Sequence, residues 1–403
     1  MKKKIIFRSG SLRLGGLERV LIEVLQTIDK EKYNITLVID DDCGEGNIFE
    51  KDIPKDIPYY FLKSKKLIDK TEYYKERKEN LFYKIMYNLY MNFETFIMCK
   101  NMNKFIKKIG KIDVMIDFDA GASKYISKLK NIDKKAVWIH NSIPKLKKKK
   151  SKIERFGKRL ENYDKVVAIC DEMKEELQNI YPKIKDKIIR IYNPFDFKRI
   201  IEMSEDKNNL SEEQKELLKN KYCVMVSRLD TVQKDYETLI KAYKIVIEKG
   251  RKEKLYIVGN GPDENKIKKM IEDYGIEKNV KLIGFTKNPY VWIKNSLFLV
   301  HSSKYEGLPT VLIEALICGK TIISSNCPTG PKEILKNEEC GELVEVGNAE
   351  QLSEKLIKFF ENLDLIKLYE KNIEIRKEEF NQKNVIKEYE KLIENIWGRK
   401  WKE

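Results

Sequence analysis

Histidine is nearly missing from this chain, with two among 403 residues, and no Cys-x-x-Cys pair occurs. Both shortages argue against a zinc centre of the usual nitrogen and sulfur ligands. The seven cysteines are odd in number and lack metal-like spacing, which points to reduced thiols and a cytoplasmic setting. Long apolar runs are also lacking. Stretches such as residues 296–301 fall far short of the ~20 residues that a membrane span requires. The opening MKKKIIFRSGS starts like a secretory signal, but only three apolar residues precede Arg8, so it reads as a first β-strand with a basic lead-in. No period of 20–50 residues recurs, which excludes a solenoid. No motif for reading DNA or RNA is present, so nucleic acid ranks last among partners for a basic protein.

What the chain has in excess is lysine. The net charge is +16, and it is unevenly placed: residues 1–195 hold 43 Lys and Arg against 28 Asp and Glu, the remainder 37 against 36. The excess peaks at Lys145–Lys152, KLKKKKSK. Such a run is either a solvated loop or a contact for an anionic membrane or a phosphate-bearing acceptor.

A chain of this length exceeds one typical core, so two domains are expected. The first half alternates short apolar runs with helical patterns, giving strands at 4–8, 35–39, 114–117, 136–139, 165–169 and 188–191. A long helix is predicted over 81–109. Its apolar residues recur with helical period, fitting either a core-covering face or a surface that rests on lipid. Tyr192-Asn193-Pro194 closes this half. A polar stretch over 202–220 follows, where a helix with little core is expected. A second alternation then gives strands at 222–226, 255–258, 280–282, 297–300 and 321–324. Two such alternations imply an α/β protein with two doubly wound sheets, whose ligands bind at the carboxyl ends of the strands.

The candidate site residues all fall at such strand ends. In HSSKYEGLPTVLIEALICGK, Glu306 and Glu314 stand eight residues apart, with Gly307-Leu308-Pro309-Thr310 at a helix start that offers free N–H groups to an anion. Arg228 and Lys234 follow the first strand of the second half, where a diphosphate needs paired cations. Gly259 and Gly261 flank a strand-to-helix turn, and Phe285 follows a similar one; each is equally readable as a tight turn. Gly15 and Gly16 open the first helix as another candidate anion site or a close packing point. His140 and His301 both read as structural. Asp40-Asp41-Asp42 reads as an acidic loop and not a metal centre.

The Glu-seven residues-Glu pattern with Gly-Leu-Pro after the first glutamate resembles the signature of retaining nucleotide-sugar glycosyltransferases of family 4, which have the GT-B fold. The resemblance implies two Rossmann-like domains facing across a cleft. It implies acceptor binding by 1–195, donor binding by 196–380, and a last helix, 381–403, packed on the first domain. It assigns catalytic roles to Glu306, Arg228, Lys234 and His140. It assigns donor contacts to Gly15, Gly16, Gly259, Gly261, Phe285, Gly307, Leu308, Pro309, Thr310 and Glu314. The family places its lysine five residues after the arginine, whereas here the interval is six.

The expected activity is therefore metal-independent, cofactor-free transfer of a hexose or N-acetylhexosamine (galactose, GalNAc or GlcNAc type) from a UDP-sugar. The expected acceptor is a lipid-linked glycan in surface polysaccharide synthesis, such as capsule or lipopolysaccharide. The expected location is cytoplasmic and peripheral on the inner face of the plasma membrane, through 81–109 and Lys145–Lys152. The alternatives are a GT-B sugar-nucleotide epimerase and a non-catalytic basic protein that binds membrane surfaces.

Overall fold

Strand after strand of this chain is buried on both faces, as Ile5, Ile6 and Phe7 are in β1 (Lys3–Ser9). Such continuous apolar runs suit parallel sheets covered by helices on either side. The computed structural model describes residues 2–13, 15–147 and 149–397, and it divides into two units.

The first unit comprises residues 1–195 and 382–403. Its other strands are β2 (Tyr33–Asp41), β3 (Tyr59–Lys63), β4 (Ile112–Asp117), β5 (Ile132–Ile139), β6 (Lys165–Ala168) and β7 (Ile188–Arg190). All pair in parallel in the order β3-β2-β1-β4-β5-β6-β7. The order reverses between β1 and β4, so the loops after those two strands part and leave a crevice. The Gln382–Trp397 helix belongs to this unit. Its Tyr389 stacks on Trp138 at 4.9 Å between ring centres, and Gln382 bonds Thr27 at 3.1 Å. Residues 398–403 of the expected last helix lie outside the described residues.

The second unit, 196–381, contains β8 (Tyr222–Val226), β9 (Lys254–Val258), β10 (Val280–Gly284), β11 (Leu299–His301), β12 (Ile322–Ser325) and β13 (Gly341–Val344). They are parallel in the order β10-β9-β8-β11-β12-β13, with the reversal between β8 and β11. The helices Tyr236–Glu248 and Ala349–Glu361 bury Leu239, Tyr243, Leu352, Leu356 and Phe359 in one core with Met225, Ile257 and Ile323.

Three expectations need correction. Strands β3 and β13 were not predicted: one is a five-residue edge strand whose Tyr59 and Tyr60 stay exposed, the other has four residues and starts at a glycine. The polar stretch 202–220 holds parts of two helices, Phe197–Glu205 and Glu212–Leu217, the second started by a Ser211/Gln214 capping box. Pro309 precedes its helix, which runs Thr310–Ile317, and sits at the N-cap.

The long helix spans Leu81–Ile109, but only its second half packs as core, through Met98, Met102, Phe105 and Ile106. Leu81, Phe82, Ile85, Leu89, Phe93 and Phe96 are 49–71% exposed. Beyond the first pair their spacing of three or four residues keeps them on one side. The result is a continuous apolar stripe on the surface.

Candidate functional site

In the second unit the predicted residues gather at the reversal point. Arg228 lies two residues beyond β8, and Glu306 five beyond β11. The segment carrying Lys234 runs beside the β11 exit: Asp235 N–H donates to Ser302 O at 3.0 Å and Lys304 N–H to Gln233 O at 2.9 Å. This brings the Lys234 ammonium onto Glu306 as an ion pair with side chains 11% and 8% exposed. The additional residue between Arg228 and Lys234 is taken up in the Thr231–Gln233 turn, where Val232 is 71% exposed.

Glu306 is held from several sides. Gln233 Nε2 donates to it at 3.0 Å, Ser303 Oγ at 2.7 Å and His301 Nε2 at 3.1 Å. Burial alone would raise its pKa; hydrogen bonding from His301 and the charge of Lys234 outweigh this and keep the carboxyl ionised, well below its usual range. Burial, reinforced by the same lysine, lowers the pKa of His301, so the imidazole is the neutral N–H donor and Lys234 carries the balancing charge. Sequence reasoning passed over His301 as structural and missed Gln233 and Ser303. The signal was their place at the two strand exits flanking the reversal.

Arg228 is exposed, and among the described residues its guanidinium forms no ion pair. Its backbone is held tightly instead. Ser227 N–H donates to Val258 O at 3.0 Å and Leu229 N–H to Asn260 O at 2.9 Å. A Cβ at Gly259 would overlap Ser227 O, and one at Gly261 would overlap Leu229 O. The two glycines therefore let the β9 turn press against the Arg228 turn, and Gly259, at φ 139°, occupies a conformation that side chains rarely adopt. Gly284, just before the exposed Phe285, closes this layer, accepting from Gly259 N–H at 2.9 Å.

The Gly307–Thr310 loop rests on the turn before Pro331. Thr329 Oγ1 donates to Gly307 O at 2.7 Å, and Gly330, at φ 99°, leaves room for Gly307 O and Pro309. Leu308 is buried, whereas Thr310 opens the helix that presents Glu314, to which Tyr290 OH donates at 3.3 Å. The structure thus brings Arg228, Lys234, Glu306, Gly259, Gly261 and the Gly307–Glu314 segment to one end of one sheet.

In the first unit, Gly15 is the N-cap of the Gly16–Thr27 helix, beneath the Glu18 side chain that Ser11 Oγ bonds at 3.0 Å. His140 follows β5, and its Nε2–H donates to Phe118 O at 2.7 Å. Burial lowers its pKa to about 4, so it is neutral at pH 7. Both glycines and His140 lie at the carboxyl ends of strands in this sheet, apart in sequence from the second-unit cluster.

Beside His140 is a cavity of about 340 Å³, also lined by Asp40, Glu94, Asp119 and Trp138. Its acids are committed. Buried Arg8 binds Asp40, Asp117 and Asp119, and Lys63 binds Asp41 and Glu94, each at 2.8 Å. Three carboxylates exceed one guanidinium, and burial raises the pKa of Asp117 to about 6 although Arg8 opposes it.

The chain has the GT-B fold. Over 97% of its length it superposes on all of HepE from Anabaena, solved in complex with UDP, with a TM-score of 0.74 at 16% identity. Residues 206–378 match the family model described as glycosyl transferases group 1. An uncharacterized glycosyltransferase of Methanocaldococcus jannaschii is 29% identical over 261 residues, which is 57% of this chain and 63% of that protein. The N-acetylgalactosamine-N,N'-diacetylbacillosaminyl-diphospho-undecaprenol 4-alpha-N-acetylgalactosaminyltransferase of Campylobacter jejuni is 30% identical over 176 residues, 44% of this chain and 47% of that enzyme. The chain therefore spans about half to three-fifths of these two relatives, and over those spans it is similar to glycosyltransferases.

Proposed function

We propose that this protein is a retaining glycosyltransferase. It moves a hexose or N-acetylhexosamine from a UDP-sugar to a hydroxyl of a lipid-linked glycan acceptor in surface polysaccharide synthesis. The observation that carries the reading is Arg228, an exposed cation without an ion pair among the described residues, held on a glycine-braced turn at the same sheet end as the buried Lys234–Glu306 pair. A departing diphosphate needs a fixed positive field more than a particular ion, and a guanidinium on a rigid turn supplies it without reorganisation. The diphosphate would meet Arg228, with the charge of Lys234 shared with Glu306. Glu314 would accept from the ribose hydroxyls, with Gly259, Gly261 and Phe285 at the base and Leu308, Pro309 and Thr310 toward the sugar and phosphate. The leaving phosphate takes the acceptor proton on the same face of the sugar, so no side chain need act as nucleophile. Gly15, Gly16 and His140 are assigned to the sugar and acceptor side.

UDP as the nucleotide is supported by the UDP complex of HepE, and a lipid-linked acceptor by the diphospho-undecaprenol named for the Campylobacter relative. Peripheral contact with an anionic cytoplasmic membrane face is supported by the apolar stripe on Leu81–Ile109 and by exposed Lys149, Lys150 and Lys152. Among the described residues no helix is long and apolar enough to cross a membrane. Of the Lys145–Lys152 run, Lys148 lies outside the described residues.

The test is nucleotide release from a panel of UDP-, GDP- and ADP-sugars with and without EDTA. Release from one UDP-sugar that survives EDTA is expected. Silence across the panel, together with no rise in melting temperature on adding UDP, refutes the reading and favours a non-catalytic surface-binding protein.

A further inference from the structure

Besides its acids and the paired Lys63, the first-unit cavity is lined by three further cations. Lys124, from the short helical turn after β4, lines it together with Lys147 and Arg159. None of the three forms an ion pair among the described residues. Lys147 instead lies over the ring of Phe156, its ammonium 4.6 Å from the ring centre. They stand close enough to disfavour one another's charge. The side chain of Lys124 stays partly exposed, and its pKa is lowered by desolvation, Arg159 and Lys63 against the pull of Glu94 and Asp40; that of Lys147 is lowered by burial, Arg159, Lys124 and Lys152. Glu94 and Asp40 attract Lys124 without pairing with it, because the acids of this cavity are bonded elsewhere. Glu94 is bonded by Lys63 and Thr71, Asp40 by Arg8, and Asp119 by Arg8 and the N–H of Gly10 and Gly121. Gathering three like charges at one wall is unfavourable unless an anion completes the set.

We propose that Lys124, Lys147 and Arg159 form a subsite for a phosphate-class anion, a diphosphate or phosphodiester carried by the acceptor. This rests on the acceptor reading above and gives that acceptor a charged handle. It also separates two roles within the lysine-rich run, since Lys147 faces the cavity while Lys149, Lys150 and Lys152 face solvent. A planar guanidinium with two ammonium groups suits a tetrahedral oxyanion, each charge-assisted contact being worth about tenfold or more in affinity.

The experiment is calorimetric titration of the full-length protein with inorganic pyrophosphate in saturating UDP, so that the second-unit diphosphate site is already filled. Wild type is expected to bind, and Lys124→Gln/Arg159→Gln to bind at least about tenfold more weakly. The double variant should melt within about two degrees of wild type, because it loses no ion pair and the repulsion it relieves offsets the pull of Glu94 and Asp40 on Lys124. Lys183→Gln/Lys185→Gln removes two exposed charges away from the cavity and should bind as wild type. An equal fall in both doubles would assign the effect to net charge and overturn the subsite, as would equal affinity of the cavity variant and wild type. Farnesyl diphosphate as a second titrant separates the sources: tighter binding than pyrophosphate assigns a lipid-linked diphosphate, and equal binding assigns a soluble phosphate group. Wild type that releases UDP from its donor yet binds no pyrophosphate refutes the subsite and leaves the donor reading standing. The opposite pattern strikes the donor reading alone.

Discussion

Replacing Lys234 with methionine is the sharpest test of how the second-unit site is held. The substitution keeps most of the side chain's apolar stem but removes the ammonium that balances Glu306, and both side chains are about nine-tenths buried. Removing one partner of a buried pair costs about 3–5 kcal/mol, because the other charge is left uncompensated. For a unit of this size that corresponds to a fall of roughly 6–20 °C in melting temperature at pH 7. The cost should depend on pH with a definite sign. In wild type the pKa of Glu306 is depressed, so its contribution is full above the unfolded value and is lost only as pH falls through the folded one. In the variant, a proton taken up by Glu306 or His301 restores neutrality, so its deficit narrows as pH is lowered from 7 toward 4.5. Adding Glu306→Gln should recover much of the loss, since the cycle then removes both charges. Calorimetric melting of the full-length protein at several pH values measures all three quantities. Equal melting at pH 7, or a deficit that does not change with pH, would refute the assignment of this pair as the electrostatic anchor of the site.

Gly259→Ala should cost about 2–4 kcal/mol through backbone strain and overlap with Ser227 O, whereas Gly250→Ala, with positive φ but open space, should cost about 1 kcal/mol. Paired urea titrations check the difference, and equal costs would remove the argument that Gly259 braces Arg228. His140 has a folded pKa near 4, below its ordinary value, so it takes stability away as pH falls through 6.5 toward 4. His140→Gln should therefore lose up to about 3 kcal/mol less than wild type across that window, read from denaturant midpoints at each pH. Phe82→Ser/Phe96→Ser changes exposed positions and should leave the melting temperature within a degree or two, yet weaken co-sedimentation with anionic vesicles by about 1.5–3 kcal/mol per side chain. Unchanged sedimentation would make the stripe an ordinary surface.

Local sequence determined a good deal. The strands β8 and β9 and the Tyr236–Glu248 helix are legible because continuous apolar runs and a 3.6-residue period leave few alternatives once flanked by turn residues. The same residues written along a line also showed Glu306, Arg228 and the glycine turns at strand ends, where parallel sheets present their loops. Two edge strands escaped: Tyr59–Lys63 opens on exposed tyrosines and Gly341–Val344 on a glycine, so neither shows a continuous apolar run, and each is specified by the neighbouring strand it bonds. What only the tertiary structure decided are the pairings between groups distant in the chain. Periodicity showed the apolar residues of Leu81–Ile109 but not that those of the first half, from Leu81 to Phe96, would stay exposed. Spacing could not reveal that Lys234 turns onto Glu306, that His301 joins them, or that Arg8 gathers three aspartates from β2, the end of β4 and the loop after it. Charge counting found a basic half but not the three cations that face one cavity, because electrostatic energy depends on distance through space, which a sequence does not contain.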